Sequence, residues 1–232
     1  MSIRQTIRCG ILVAIAAFIG ITCGSGPSTS ASTSSSTATS GSTPAASSST
    51  RPASGSSRSA VTYTFGDTGP GGGKVFYYNA KGFTVQMANP KQNYTAHYLE
   101  AAPDDMRITL AWSSAALNQN GVYIHQFINT ETAIGTGRKN TALILATDAN
   151  APAAKACRDY NAGGQTDWFF PSKEELNQLF VNKTFVGNMG EWNYWSSSQF
   201  NNASAWNQRY NNGGFTNHYK DAVFYVRAIR AF

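Results

Sequence analysis

Apolar and polar positions divide the chain into three stretches. Ile11 to Ile21 is an almost unbroken apolar run. From Gly24 to about Ala60 the chain is almost entirely Ser, Thr, Ala, Gly and Pro. Beyond residue 60, short apolar and aromatic runs alternate with clusters of Gly, Asn and Pro, the pattern of short strands separated by turns. It predicts strands at Val75–Tyr78, Phe83–Met87, Thr166–Phe170, Tyr194–Ser198, Ser204–Tyr210 and Ala222–Ile229. "AWNQRY" and "FTNHY" flank "NNGG", which predicts a hairpin. One helix is expected from about Ala151 to Tyr160, with Pro152 in its first turn and Gly163-Gly164 beyond its end. A second begins at Ser172, where "SKEE" forms a capping box and Leu176, Leu179 and Phe180 share a face. A short third is expected near Thr141–Thr147. The class is α+β.

The first stretch reads as a signal peptide over residues 1–23. Arg4 and Arg8 precede an apolar run that is shorter than the ~20 residues a membrane-spanning helix needs. An uncleaved anchor is the alternative. Cys23 follows the apolar run directly, where a bacterial lipoprotein carries its acylated cysteine; the residues before it, Gly20, Ile21 and Thr22, depart from the usual Leu-small-Gly/Ala pattern. Residues 24–60 carry too little apolar surface to offset their ordering entropy, so a disordered linker or a glycosylated stalk is expected. Lipidation at Cys23 would tether the chain to the bacterial membrane, placing it in the cell envelope or on its surface. Residues 61–232 form the globular domain.

The formal charge of +6 is not a property of that domain. Arg4, Arg8, Arg51 and Arg58 precede it, leaving 14 basic residues against its 12 acidic ones. No nucleic-acid footprint is indicated. Of three cysteines only Cys157 lies in the domain, so no internal disulfide can form there.

"GDTGPGGGKVFYY", from Gly66 to Tyr78, is the most distinctive local motif. A phosphate-cradling loop would need a glycine at Thr68, a hydroxyl at Val75 and a helix where "KVFYY" predicts a strand. Collagen's triplet holds only across Gly66, Gly69 and Gly72. What remains is a turn that launches a strand.

Reactive constellations are sparse. His97, His125 and His218 have no metal-ligand spacing, and zinc is not expected. Glu100, Asp104 and Asp105 are weighed as calcium ligands and read instead as a solvated turn around Pro103. Glu174 and Glu175 are explained by the helix start. "AWSSA" and "YWSSS" lack a nucleophile elbow, and Cys157 reads as a small core residue. The richest segment is Asn188–Lys220, where Asn188, Asn193, Asn201, Asn202, Asn207, Asn211, Asn212 and Asn217 interleave with Trp192, Trp206, Tyr210 and Tyr219. Aromatic faces stack on sugar rings and amides bind hydroxyls. Arg209, Tyr210, Asn211, Asn212, Tyr219 and Lys220 are therefore the expected ligand-binding residues, with Arg209 and Lys220 exposed to meet sulfates or carboxylates. Trp195 and Trp206 are expected in the core.

"GDTGPGGGKVFYY", "LEAAPDD", "AIGTGRKNT", "GGQTDWFFPSKEELNQL", "YWSSSQ" and "VRAIRAF" occur in this order. Together they resemble the C-terminal domain family of the Legionella collagen-like adhesin, over nearly all of residues 62–232. The resemblance implies an exported bacterial protein. It also implies glycan recognition, because the family's namesake binds sulfated glycosaminoglycans, and a homotrimer, because the namesake's domain is trimeric. The collagen repeat of the namesake is replaced here by the Ser/Thr linker. "YWSSS" and "VRAIR" are also similar to elements of C-type-lectin-like domains. That likeness implies a mixed sheet flanked by two helices, with the N- and C-terminal strands, Val75–Tyr78 and Phe224–Ile229, paired. It brings no catalytic residue, metal or cofactor to these positions. The expectation is a non-enzymatic surface-displayed binding module for a glycan or a host or partner surface. The alternative is a structural envelope or appendage protein without a soluble ligand.

Overall fold

The computed structural model describes residues 62–106, 109–114 and 126–232. The signal, Cys23, the linker and His125 lie outside these residues. The described chain runs β1 (Lys74–Val85), β2 (Tyr94–Ala101), β3 (Leu110–Ala111), α1 (Gly137–Thr147), α2 (Pro152–Asp159), α3 (Lys173–Val181), α4 (Lys183–Val186), β4 (Asn193–Gln199), β5 (Ser204–Arg209), β6 (Phe215–Tyr219), β7 (Val223–Phe224) and β8 (Ile229–Ala231). The domain is α+β, as its pattern predicts. Three antiparallel sheets have the orders β1-β2-β8, β3-β7 and β4-β5-β6.

The expected pairing of first and last strands needs correction. β1 and β8 share a sheet, but β2 lies between them, with Leu99 opposite Ala231 and Ala101 opposite Ile229. β2 escaped the pattern because it is a central strand whose last three residues, Leu99, Glu100 and Ala101, are all buried, so alternation is lost. The two strands expected at Val75–Tyr78 and Phe83–Met87 are one strand, with an irregularity between Tyr78 and Phe83. Gly82 sits there at φ +75°, and a Cβ would come within 2.5 Å of Thr95 Cγ2. Thr166–Phe170 makes only a bridge between Phe169 and Ile229, because Pro171 and the cap of α3 follow at once. The expected strand Ala222–Ile229 is split into β7 and the approach to β8, with the buried Val226, Arg227 and Ala228 crossing between sheets.

Two strand-like segments divide the core. Trp168 and Phe170 join one cluster with Trp112, Ile144, Trp195 and Val226. Phe169 joins the other with Phe76, Leu99, Leu176, Leu179, Tyr194 and Tyr210. Tyr194 and Trp195 part in the same way. Side chains alternate across an extended backbone, so a continuous aromatic run serves both layers. The serines that follow are buried staples: Ser196 Oγ donates to Trp206 O at 2.9 Å and Ser198 Oγ to Glu131 O at 2.7 Å.

The glycine-rich loop does cradle an anion, but an internal one. Gly71 N and Gly73 N donate to the buried carboxylate of Glu100 at 2.9 Å and 3.0 Å, and Arg230 Nη1, opposite it in the β2–β8 register, donates at 2.8 Å. Glu100 is thus a buried link between loop and C-terminal strand, not part of a solvated turn. Its neighbour Asp105 is also engaged, accepting from Arg227 Nε at 2.7 Å and from Tyr194 Oη at 2.7 Å.

A second buried carboxylate organises "AIGTGRKNT". Ser172 and Glu175 form the expected reciprocal cap of α3, and Glu175 also accepts from Gly135 N at 2.8 Å. A Cβ on Gly137 would lie 2.2 Å from Glu175 Oε2, so glycine is needed for this close approach. Burial raises the Glu175 carboxyl to about 7, against the lowering effect of the backbone donors at Ser172, Gly135 and Gly137. A carboxyl with a raised folded-state pKa contributes stability below its unfolded value near 4.5, and that stability is lost as pH rises to about 7. Denaturant titrations should therefore show unfolding free energy falling by about 3 kcal/mol across this window. Glu175→Gln should flatten the dependence; parallel wild-type and variant slopes would contradict the assignment.

Candidate functional site

The segment after α4 is anchored from two sides before it reaches the surface. Asn188 holds a positive φ of 51°, and its carbonyl accepts from Arg227 Nη2 at 2.6 Å. Gly190 N donates to Tyr194 Oη at 3.0 Å. Between these anchors and β4 the chain presents Trp192, which is 61% exposed.

Trp192 is exposed but not loose. Its indole lies over Gly190, where a Cβ would come within 2.5 Å of Cδ1. Its ring is nearly parallel to Tyr225, 18° between planes and 6.3 Å between centroids. Tyr225 leans on Tyr194 at 5.6 Å, and Tyr194 on Tyr210 at 4.3 Å. A ladder of rings thus runs from the surface into the core. Trp192 and Tyr225 border a groove of about 380 Å³ with Glu191, Asn193, Asn211 and Thr109.

The structure disperses the residues expected to form one site. Asn211 reaches the Trp192 groove. Asn212 is exposed and its Oδ1 accepts from Gly214 N at 3.0 Å, which shapes the hairpin turn. Tyr219, 68% exposed, borders a separate polar groove of about 340 Å³ with Asn201, Asn217 and His218. Arg209 is exposed at the end of β5, opposite Asn193.

Two expectations fail outright. Tyr210 is fully buried, and its hydroxyl donates to Leu176 O at 3.2 Å. It follows β5 and turns toward α3, where the second core cluster has room for an aromatic ring. Lys220 is buried as well. Its Nζ donates to Gln126 O at 3.2 Å and Gln199 Oε1 at 2.9 Å and sits 4.6 Å from the Trp112 ring centroid. Burial lowers its ammonium to about 8, and no carboxylate among the described residues pairs with it. Lys220 is a structural cation held by carbonyls and a ring face. Trp195 is in the core as expected, whereas Trp206 is only partly buried, with Lys173 Nζ 4.6 Å from its centroid.

The family model described as the Lcl C-terminal domain matches residues 101–230, more than half of the chain. The chain belongs to the Lcl C-terminal domain family. Family membership makes it a surface, adhesion-related module of an exported protein. No curated protein matches it. Among solved structures it is similar to a fimbrial protein from Bacteroides ovatus at 15% identity and a TM-score of 0.41, covering 69% of this chain and 44% of that one. In this Lcl C-terminal domain the acids of "LEAAPDD" are bound by protein groups: Glu100 and Asp105 as described, and Asp104 Oδ1 by Asn188 Nδ2 at 3.2 Å. Sequence reasoning weighed Trp192 only as part of a segment and missed Tyr225. The available signal was "GEWNYW", a glycine two residues before a tryptophan at the mouth of a strand.

Proposed function

We propose that this domain is a non-enzymatic recognition module, displayed on the bacterial envelope, that binds glycans on a host or partner surface. The observation that carries the reading is Trp192, a large apolar ring kept at the surface by its own packing and bordered by amides. An immobilised exposed aromatic loses little conformational entropy on binding, so its contact area goes largely into affinity. Loops hung between rigid strands are the usual place for such groups. The tether is Cys23, acylated after signal cleavage; palmitate label should enter the wild-type chain and not Cys23→Ser. Screening the full-length chain on an array of neutral, sialylated and sulfated glycans tests the recognition itself. Binding to a defined glycan subset is expected. An array with no binding, and recovery of the protein only within a large envelope assembly, would replace this reading with a structural role.

A further inference from the structure

We infer that the Trp192 groove takes an uncharged pyranose, one whose axial hydrogens form a flat apolar face. The inference rests on the glycan-binding reading and narrows it by charge. A pyranose of the glucose or galactose type has one face of C–H groups that packs on an indole and a rim of hydroxyls that seeks donors and acceptors. The groove supplies both. Trp192 is the platform, fixed in plane by Tyr225 and by its seat over Gly190. The rim is Asn193, Asn211, Glu191 and Thr109. Among the described residues no side-chain hydrogen bond or ion pair engages these four. Their amides, carboxylate and hydroxyl are free for a ligand.

A sulfated sugar would need a cation here, and the described lining holds none. Its one charged side chain is Glu191, which repels sulfate. Among the described residues the cations of the surrounding elements lie outside this lining, and Lys183 Nζ donates to Tyr210 O at 2.7 Å. Lys220 is buried against Gln126 and Gln199. Arg227 has its guanidinium occupied by Asp105 and by the carbonyls of Ala102, Pro103 and Asn188. Arg209 is exposed but does not line the groove. A carboxylate is instead a good acceptor for a pair of sugar hydroxyls.

The test uses the full-length chain with glucose, galactose, their N-acetylamino forms and their 6-sulfated forms, each immobilised and then competed in solution. At least one neutral sugar should bind. Trp192→Ala should weaken that binding at least tenfold, and Trp192→Phe less, with unchanged melting temperature in both. Raising the salt should leave neutral-sugar binding nearly constant, since no ion pair forms. As a second readout, the wild-type tryptophan emission should change on titration with the sugar, and Trp192→Phe should abolish the change. Binding confined to the sulfated sugars, weakened by salt and by Arg209→Ala, would overturn the inference while leaving glycan recognition standing. Neutral-sugar binding that survives Trp192→Ala, with the emission change intact in Trp192→Phe, would move the site elsewhere. Binding to none of the sugars, charged or neutral, on this panel and on the wider array would remove the glycan reading and the inference together.

Discussion

Arg227→Ala is expected to lower the unfolding free energy by about 3–5 kcal/mol, the usual loss when one partner of a buried ion pair is removed. The Arg227 side chain is fully buried. Its Nε donates to Asp105 Oδ1 at 2.7 Å, Nη1 to the carbonyls of Ala102 and Pro103 at 2.7 Å and 3.0 Å, and Nη2 to Asn188 O at 2.6 Å. Alanine would leave a mostly buried carboxylate and three carbonyls without this donor set, together with a cavity. Lysine would not rescue it. A single ammonium at the end of a flexible stem cannot reproduce a planar fork that bonds in three directions at once. Chemical denaturation of the full-length chain measures the change, and a loss below about 1 kcal/mol would show that these bonds are easily replaced by water. Because Asn188 O is one of the acceptors, any Arg227→Ala protein that still folds should also present Trp192 less firmly and, on the proposed function, bind a glycan more weakly.

Glu100→Ala should cost a similar amount, about 3–5 kcal/mol. The carboxylate is fully buried and collects Gly71 N, Gly73 N and Arg230 Nη1, which join the glycine-rich loop, β2 and β8. Its removal strands two backbone donors and takes one of two acidic partners from Arg230, whose Nε still reaches Asp167. A melting-temperature drop on the order of 10 °C follows for a domain of this size. The glycines supply a sharper check. A Cβ on Gly69 would lie 2.5 Å from Glu100 Oε2. Gly69→Ala should therefore destabilise the wild type clearly and the Glu100→Ala protein much less. Strict additivity of the two substitutions would mean that the carboxylate does not set the glycine requirement.

Local features of the chain were legible in its residues. The capping box at Ser172 and Glu175 and the "NNGG" hairpin act through neighbours a few positions away, and both stand as expected. "GDTGPGGGK" is likewise a turn into a strand, as its residue types require once the phosphate loop is excluded. What the turn embraces was not legible, because Glu100 lies 29 residues from Gly71 and meets it only after β1 and β2 pair.

The site divides along the same line. Amides and aromatics crowd Asn188–Lys220 by composition, and that crowding is visible without a structure. Which of them face water was decided by distant partners. Tyr210 and Tyr219 are the same residue type nine positions apart; α3 and Tyr194 draw the first inward, while the second stays 68% exposed. Lys220 turns inward because Gln199 and Gln126 offer oxygens beside the Trp112 ring. Tyrosine and lysine both join a long apolar body to a polar tip, so either can satisfy a core or a surface. Their own letters therefore set the candidates, and the packing of remote strands and helices chose among them.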